Sequence, residues 1–127
     1  MPSDAVRAAI DAANAAIAEA ISRQSAMDMA AHYTEDAVVL PPGSSPVVGQ
    51  DAISDWMATA FGLGMCWIET MQDQLRSAGD ELCVEQGRYR IGAGPDAVSD
   101  TGVYTVYWRK CGDTWCVARD IIMSTAG

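Results

Sequence analysis

Asp120 is the residue of this chain whose surroundings most favour chemistry. It is an acid inside an apolar, β-branched run, 115–123, of the kind that forms strands. Strand alternation predicts that Asp120 shares a face with Cys116, Ala118 and Ile122, with no cation among them. A carboxylate in an apolar cavity has a raised pKa and can act as a general base near neutral pH. The alternative is a structural acceptor for a buried tyrosine, tryptophan or backbone donor.

A second acid, Glu85, lies in another strand-like segment, on the same face as Cys83, Gly87 and Tyr89. If that face points inward, two carboxylates share one cavity and one pKa is raised. The favoured interpretation is instead an exposed acid that pairs with an arginine of the strands. The arginines considered are Arg88, Arg90 and Arg109.

Aromatic side chains are the remaining candidates for ligand contacts. Tyrosine hydroxyls would donate hydrogen bonds to a ligand carbonyl, and tryptophans would form an apolar wall. The candidates of this kind are Tyr33, Trp56, Trp67, Tyr89, Tyr104 and Tyr107. The alternative is that these aromatics only pack in the core, with adaptable methionines beside them.

The single histidine, His32, precedes Asp36 by four residues, a spacing that places both on one face of a helix. A surface ion pair or cap is favoured over a catalytic dyad at this position. One histidine and four scattered cysteines predict neither a zinc site nor a disulfide scaffold, and we expect no metal and no cofactor. The chain has no glycine-rich phosphate loop and no nucleophile motif, which argues against phosphoryl and acyl transfer.

The elements that would position these residues change character along the chain. Apolar periodicity predicts helices over 3–23, 26–34 and 50–62, and a short strand over 37–40. Four long strands are predicted over 65–77, 81–91, 98–110 and 114–124. This order indicates an α+β fold with a largely antiparallel sheet. Such long strands must bend, with Gly87 and Gly102 as the expected bends, and a curled sheet capped by helices forms a cone with a pocket at its open end.

Composition and charge exclude several classes of function. The chain has 127 residues, which predicts one domain over 1–127. Its net charge is −9, so neither nucleic acid nor an anionic membrane surface is an expected partner. No stretch of 18 apolar residues and no signal-peptide pattern is present, and we expect a cytoplasmic protein.

Five stretches, in this order, resemble the nuclear transport factor 2-like superfamily, and within it the SnoaL-like and ketosteroid-isomerase-like branch. They are 33–42, 48–53, 83–89, 102–109 and 115–122. The resemblance implies a conical barrel in which a strongly curved mixed, mostly antiparallel sheet packs on three N-terminal helices. It further implies a small hydrophobic ligand, a homodimer, and acid–base chemistry of an isomerase, cyclase or dehydratase.

Differences from that family limit which of its reaction mechanisms the resemblance implies. Ketosteroid isomerases carry a base where this chain has Leu40-Pro41, and an oxyanion-hole acid near the position of Thr105. The steroid-isomerase mechanism is therefore not implied, although Thr105 remains a candidate pocket residue. SnoaL-like cyclases have an aspartate base in the stretch that holds Asp120. Two hypotheses remain, an acid–base enzyme or ligand-binding protein that uses Asp120, and a non-catalytic dimeric ligand-binding or protein-interaction module.

Overall fold

The computed structural model describes residues 2–125, which form three helices and six strands. The helices are α1 (Asp4–Ser22), α2 (Ala26–Ala30) and α3 (Gln50–Gly62). The strands are β1 (Tyr33–Leu40), β2 (Val47–Val48), β3 (Trp67–Ser77), β4 (Leu82–Gly94), β5 (Ala97–Cys111) and β6 (Thr114–Ser124). The helices α1 and α3 and the four long strands are confirmed to within a few residues.

The first two helices begin where their capping residues predict. Ser3 accepts a hydrogen bond from the Val6 amide at 3.2 Å, and Ser25 accepts one from the Asp28 amide at 3.3 Å. The prediction that α2 extends to residue 34 was wrong, because β1 already begins at Tyr33. The His32 carbonyl accepts a hydrogen bond from the Val117 amide of β6 at 2.8 Å, so pairing with the sheet overrides the local helical pattern.

The six strands form one mixed sheet in the order β2-β1-β6-β5-β4-β3. The pairing of β1 with β6 is parallel, and the other neighbours are antiparallel. The sheet packs against the three helices and remains open at β2 and β3. This confirms the expected α+β architecture. Within residues 2–125, no helix is both long and apolar enough to cross a membrane.

One extra residue in β6 changes which side chains face the helices. The pairing moves from Tyr107–Arg119 to Trp108–Val117, which leaves Ala118 as a bulge. Before the bulge, Trp115 and Val117 are buried, whereas Cys116 is only half-buried. The predicted face of Cys116, Ala118, Asp120 and Ile122 was therefore wrong for its first half. Val117, expected outside, lies on the inner face with Asp120.

Thr105 of β5 was expected to face the pocket, and this was also wrong. Tyr104, Val106 and Trp108 are buried on the inner face, and alternation puts Thr105 and Tyr107 on the outer face.

Two glycines in the sheet make room for tyrosine rings. Gly87 pairs with Tyr104, and Tyr89 pairs with Gly102. A Cβ atom on Gly87 would lie 2.7 Å from the Tyr104 hydroxyl, and one on Gly102 would lie 2.7 Å from Cε2 of Tyr89. The β4–β5 register is continuous at both glycines, and Gly87 lies beside a bulge at Asp73 of β3. Both glycines therefore allow the tyrosines to lie flat across the inner face.

Candidate ligand cavity with tyrosine–carboxylate pairs

A cavity of about 160 Å³ lies between the helices and the inner face of the sheet. Its walls are mainly apolar side chains from all three helices, from strands β3–β6 and from the loop between α3 and β3. These are Ile17, Ala18, Ile21, Met29, Trp56, Met57, Met65, Ile68, Ile91, Val106, Val117 and Ile122, with Pro42 at the edge. The polar side chains on the walls are Asn14, Tyr33, Thr70, Tyr89, Asp100, Tyr104, Trp108 and Asp120.

Asp120 and Tyr33 form the first polar pair of the cavity. The parallel pairing of β1 with β6 brings them together, and the Tyr33 hydroxyl donates to Asp120 Oδ2 at 2.9 Å. Burial raises the pKa of Asp120 to about 6, the Tyr33 hydrogen bond opposes the rise, and the charge of Glu85 adds to it. Burial, and then the charge of Asp120, raises the pKa of Tyr33 well above its usual range. Tyr33 therefore stays protonated, and Asp120 titrates close to neutral pH.

Glu85 lies behind the cavity wall and is 1% exposed. Asn14 Nδ2 donates to its two oxygens at 3.0 and 3.3 Å, the Tyr104 hydroxyl donates at 2.6 Å, and Trp108 Nε1 donates at 2.9 Å. The favoured interpretation of Glu85 as an exposed acid paired with an arginine was wrong. Glu85 does face inward, but both of its oxygens accept hydrogen bonds from the protein. This is the environment of a structural acceptor.

The three arginines considered for Glu85 face away from it. Arg88 pairs with Asp73 at 3.0 Å, and Arg90 pairs with Glu69 at 3.2 Å. Arg109 pairs with Asp36 at 3.2 Å. These are solvent-accessible ion pairs, so none of the three arginines neutralises Glu85 on the inner face.

A third tyrosine–carboxylate pair, Tyr89 with Asp100, lies on β4 and β5. The Tyr89 hydroxyl donates to Asp100 Oδ2 at 2.8 Å, and Ser124 Oγ donates to Oδ1 at 2.6 Å. Burial, and then the hydrogen bond to Asp100, raises the pKa of Tyr89. Sequence reasoning missed Asp100, although its alternation with Gly102 and Tyr104 places all three on one face once the direction of β5 is known.

The predicted site residues divide into three groups. Tyr33, Trp56, Tyr89, Tyr104 and Asp120 line the cavity together, and Glu85 lies behind its wall. Trp67, Thr105 and Tyr107 are not brought to it. Trp67 lies at the start of β3, where the Arg90 guanidinium stacks 5.3 Å from its ring centre.

The helical relation expected between His32 and Asp36 is absent, because β1 begins at Tyr33 and Asp36 lies within it. Asp36 accepts from the Thr34 hydroxyl at 2.8 Å and forms its surface ion pair with Arg109, rather than the one predicted with His32. Those two hydrogen bonds, led by that of Thr34, hold the pKa of Asp36 below its usual value. Within residues 2–125, no group of three or more His, Cys, Asp or Glu side chains is arranged to hold a metal ion.

Solved structures of other proteins share this architecture. A ketosteroid isomerase-like protein from Erwinia carotovora atroseptica is 19% identical, with 94% of this chain and 96% of that chain covered and a TM-score of 0.78. An NTF-2 like protein of unknown function from Shewanella oneidensis MR-1 is 17% identical, with 92% and 98% covered and a TM-score of 0.78. Aln2 from a Streptomyces species is 14% identical, with 98% and 94% covered and a TM-score of 0.85.

No protein-family model matches the chain, and no curated protein matches it. The structural likeness spans nearly the whole chain at low identity, so it defines the fold. The chain has the nuclear transport factor 2-like fold that these structures share.

Proposed function

We propose that this protein binds a small hydrophobic molecule in the cavity and that Asp120 exchanges a proton with it. The observation that carries the proposal is the position of Asp120, a half-buried carboxylate on a mainly apolar cavity wall with a pKa of about 6. Apolar cavities with a few convergent polar groups and a perturbed carboxyl are typical of ligand and catalytic sites. The reaction would be an isomerisation, cyclisation or dehydration, without a metal.

The arrangement of Asp120 suits a general base. Around pH 6 both of its protonation states are populated, and above that pH the carboxylate predominates. Tyr33 occupies Oδ2, and no residue among 2–125 donates a hydrogen bond to Oδ1. Oδ1 is therefore the atom that would accept the ligand's proton, while Tyr33 is a positioning residue that holds the carboxylate in place.

The binding step is tested with a cavity-filling variant and a matched control. Ala18 lines the cavity from α1, whereas Ala15 lies on the exposed side of the same helix. We expect Ala18→Leu to abolish binding of small aromatic probes, followed by the fluorescence of Trp56 and Trp108, and Ala15→Leu to leave it unchanged. Equal binding by both variants and the unmodified protein would place the ligand elsewhere.

The catalytic step is tested separately from binding. Ligands that pass the first test are incubated in D₂O, and proton exchange or conversion is followed by NMR. Asp120→Asn should keep binding within a few fold and lose the exchange. Exchange that persists in Asp120→Asn would remove Asp120 from the reaction and leave a binding protein.

A second candidate function, the non-catalytic dimeric module, is supported by the outer face of the sheet. Val103, Tyr107 and Met123 are 41%, 38% and 62% exposed there, and Val103 pairs directly with Met123. Such an apolar patch on a sheet face is typical of an interface. Light scattering at about 50 μM should give about twice the 13.5 kDa chain mass if this face joins two copies, whereas the chain mass would reject it.

A further inference from the structure

The hydrogen-bond donors around the cavity are already used by the protein. The hydroxyls of Tyr33, Tyr89 and Tyr104 each donate to a carboxylate, at 2.9, 2.8 and 2.6 Å. Burial raises the pKa of all three, so none becomes a phenolate at neutral pH. A hydroxyl that has donated its proton offers a ligand only oxygen lone pairs.

The other hydrogen-bond donors on the cavity walls are also used within the protein. Trp108 Nε1 and Asn14 Nδ2 are directed at Glu85. A carbonyl or carboxylate ligand would therefore find few free donors. A ligand that brings its own N–H or O–H groups would find acceptors.

The charged side chains at the described cavity are all acidic. Asp100 and Asp120 line it, Glu85 lies behind it, and no Lys, Arg or His is among its described lining residues. Both oxygens of Asp100 and of Glu85 accept hydrogen bonds, whereas Asp120 Oδ1 receives none from residues 2–125. One carboxylate oxygen in an apolar, aromatic-walled space is the partner that a desolvated ammonium group needs.

The size of the cavity limits the apolar part of the ligand. An engineered apolar cavity of about 150 Å³ in another protein holds one benzene ring. The cavity here is of similar size, about 160 Å³, and Trp56 and Trp108 provide aromatic surface.

We propose that the ligand is a hydrophobic amine of about one aromatic ring, bound with its protonated nitrogen donating to Asp120 Oδ1. This inference rests on the proposed function, since it assumes that the cavity is the ligand site, and adds the chemical class of the ligand. The titratable groups around the cavity, besides Asp120, are Tyr33 on β1, Glu85 and Tyr89 on β4, and Asp100 and Tyr104 on β5. None carries a positive charge that would compete with the amine.

The test compares four probes of nearly equal size at pH 7.5, which are benzylamine, benzyl alcohol, toluene and benzoate. Hydrogen bonds between charged partners are worth enough to predict that benzylamine binds about tenfold more tightly than benzyl alcohol, by calorimetry or NMR titration. Benzoate should not bind. In Asp120→Asn the preference for benzylamine should fall to about twofold, whereas Asp113→Asn, which removes a charge from the exposed β5–β6 turn, should retain it.

A second readout avoids dependence on a variant that fails to fold. In the unmodified protein, benzylamine affinity should fall as pH is lowered through 6, because Asp120 becomes protonated, while toluene affinity stays constant. If toluene and benzyl alcohol bind as well as benzylamine at pH 7.5, the amine inference is wrong and the cavity proposal stands. If Ala18→Leu changes the binding of none of the four probes, both the amine inference and the cavity proposal are wrong.

Discussion

The stability of Asp120→Asn provides a quantitative test of how the protein holds this carboxyl. The pKa of Asp120 rises from 3.8 to about 6 on folding. One pKa unit corresponds to about 1.4 kcal/mol, so the ionised carboxylate costs folding stability of about 3 kcal/mol above pH 6. Because the residue is only half-buried, we take the cost as on the order of 1–3 kcal/mol.

The direction of the pH dependence follows from the raised pKa. Below pH 3.8 the carboxyl is protonated in both the folded and the unfolded state, and it costs nothing. Between pH 3.8 and about 6 the unfolded chain ionises first, so this group lowers the free energy of unfolding as pH rises. Above pH 6 the loss is complete. An asparagine resembles the protonated acid at every pH, and its side-chain oxygen still accepts from Tyr33.

The assay is urea denaturation of the unmodified protein and Asp120→Asn at several pH values between about 4.5 and 7.5. We expect the variant to gain about 2 kcal/mol relative to the unmodified protein across that range, because other titrating groups cancel in the comparison. Asp113→Asn, an exposed change of equal charge, should show a constant difference. A variant that is less stable at pH 7.5 would refute the reasoning, since it would mean that Asp120 is a charged structural acceptor with a lowered pKa.

Two further predictions concern the residues that shape the cavity walls. Glu85→Leu leaves the donors of Asn14, Tyr104 and Trp108 without an acceptor and should cost on the order of 3 kcal/mol in urea denaturation; a neutral result would contradict the structural role of Glu85. Gly102→Ala places a Cβ against the Met123 carbonyl oxygen and the Tyr89 ring and should cost about 1–3 kcal/mol, whereas Gly94→Ala, where a Cβ meets nothing within 4 Å, should cost far less; equal costs would show that both neighbours of Gly102 can move aside.

The architecture could be predicted from the sequence because its long elements have strong periodic signals. Helix α1 has a capped start and an apolar stripe, and the long strands are separated by turn residues. The two-residue strand β2 was missed because it is too short to show a pattern. The length of helix α2 was overestimated because the chain joins the sheet at Tyr33. That pairing is with β6, which lies far away in the sequence.

The site could be predicted only in part, because it depends on the register of the strands. Asp120 was identified on its apolar flanks, and it does lie on the cavity wall. Its face-mates were assigned wrongly because the bulge at Ala118 is a property of strand pairing that alternation cannot show. The inner and outer faces of β5 were assigned the wrong way round. As a result Asp100 was missed, and Thr105 and Tyr107 were wrongly expected in the pocket. Asn14 was missed because its role depends on the packing of α1 over β4, which brings it to Glu85.

The most direct test of the central claim is the titration of the Asp120 carboxyl carbon by ¹³C NMR, with the resonance assigned by its loss in Asp120→Asn. A carboxyl that burial holds on the wall of an apolar cavity should titrate near pH 6, well above the 3.8 of an ordinary aspartate. The midpoint should fall when benzylamine is added, because a cation beside Oδ1 favours the carboxylate. A midpoint at or below about 4 that benzylamine leaves unchanged would contradict the account of Asp120 as the proton-exchanging group of a ligand site.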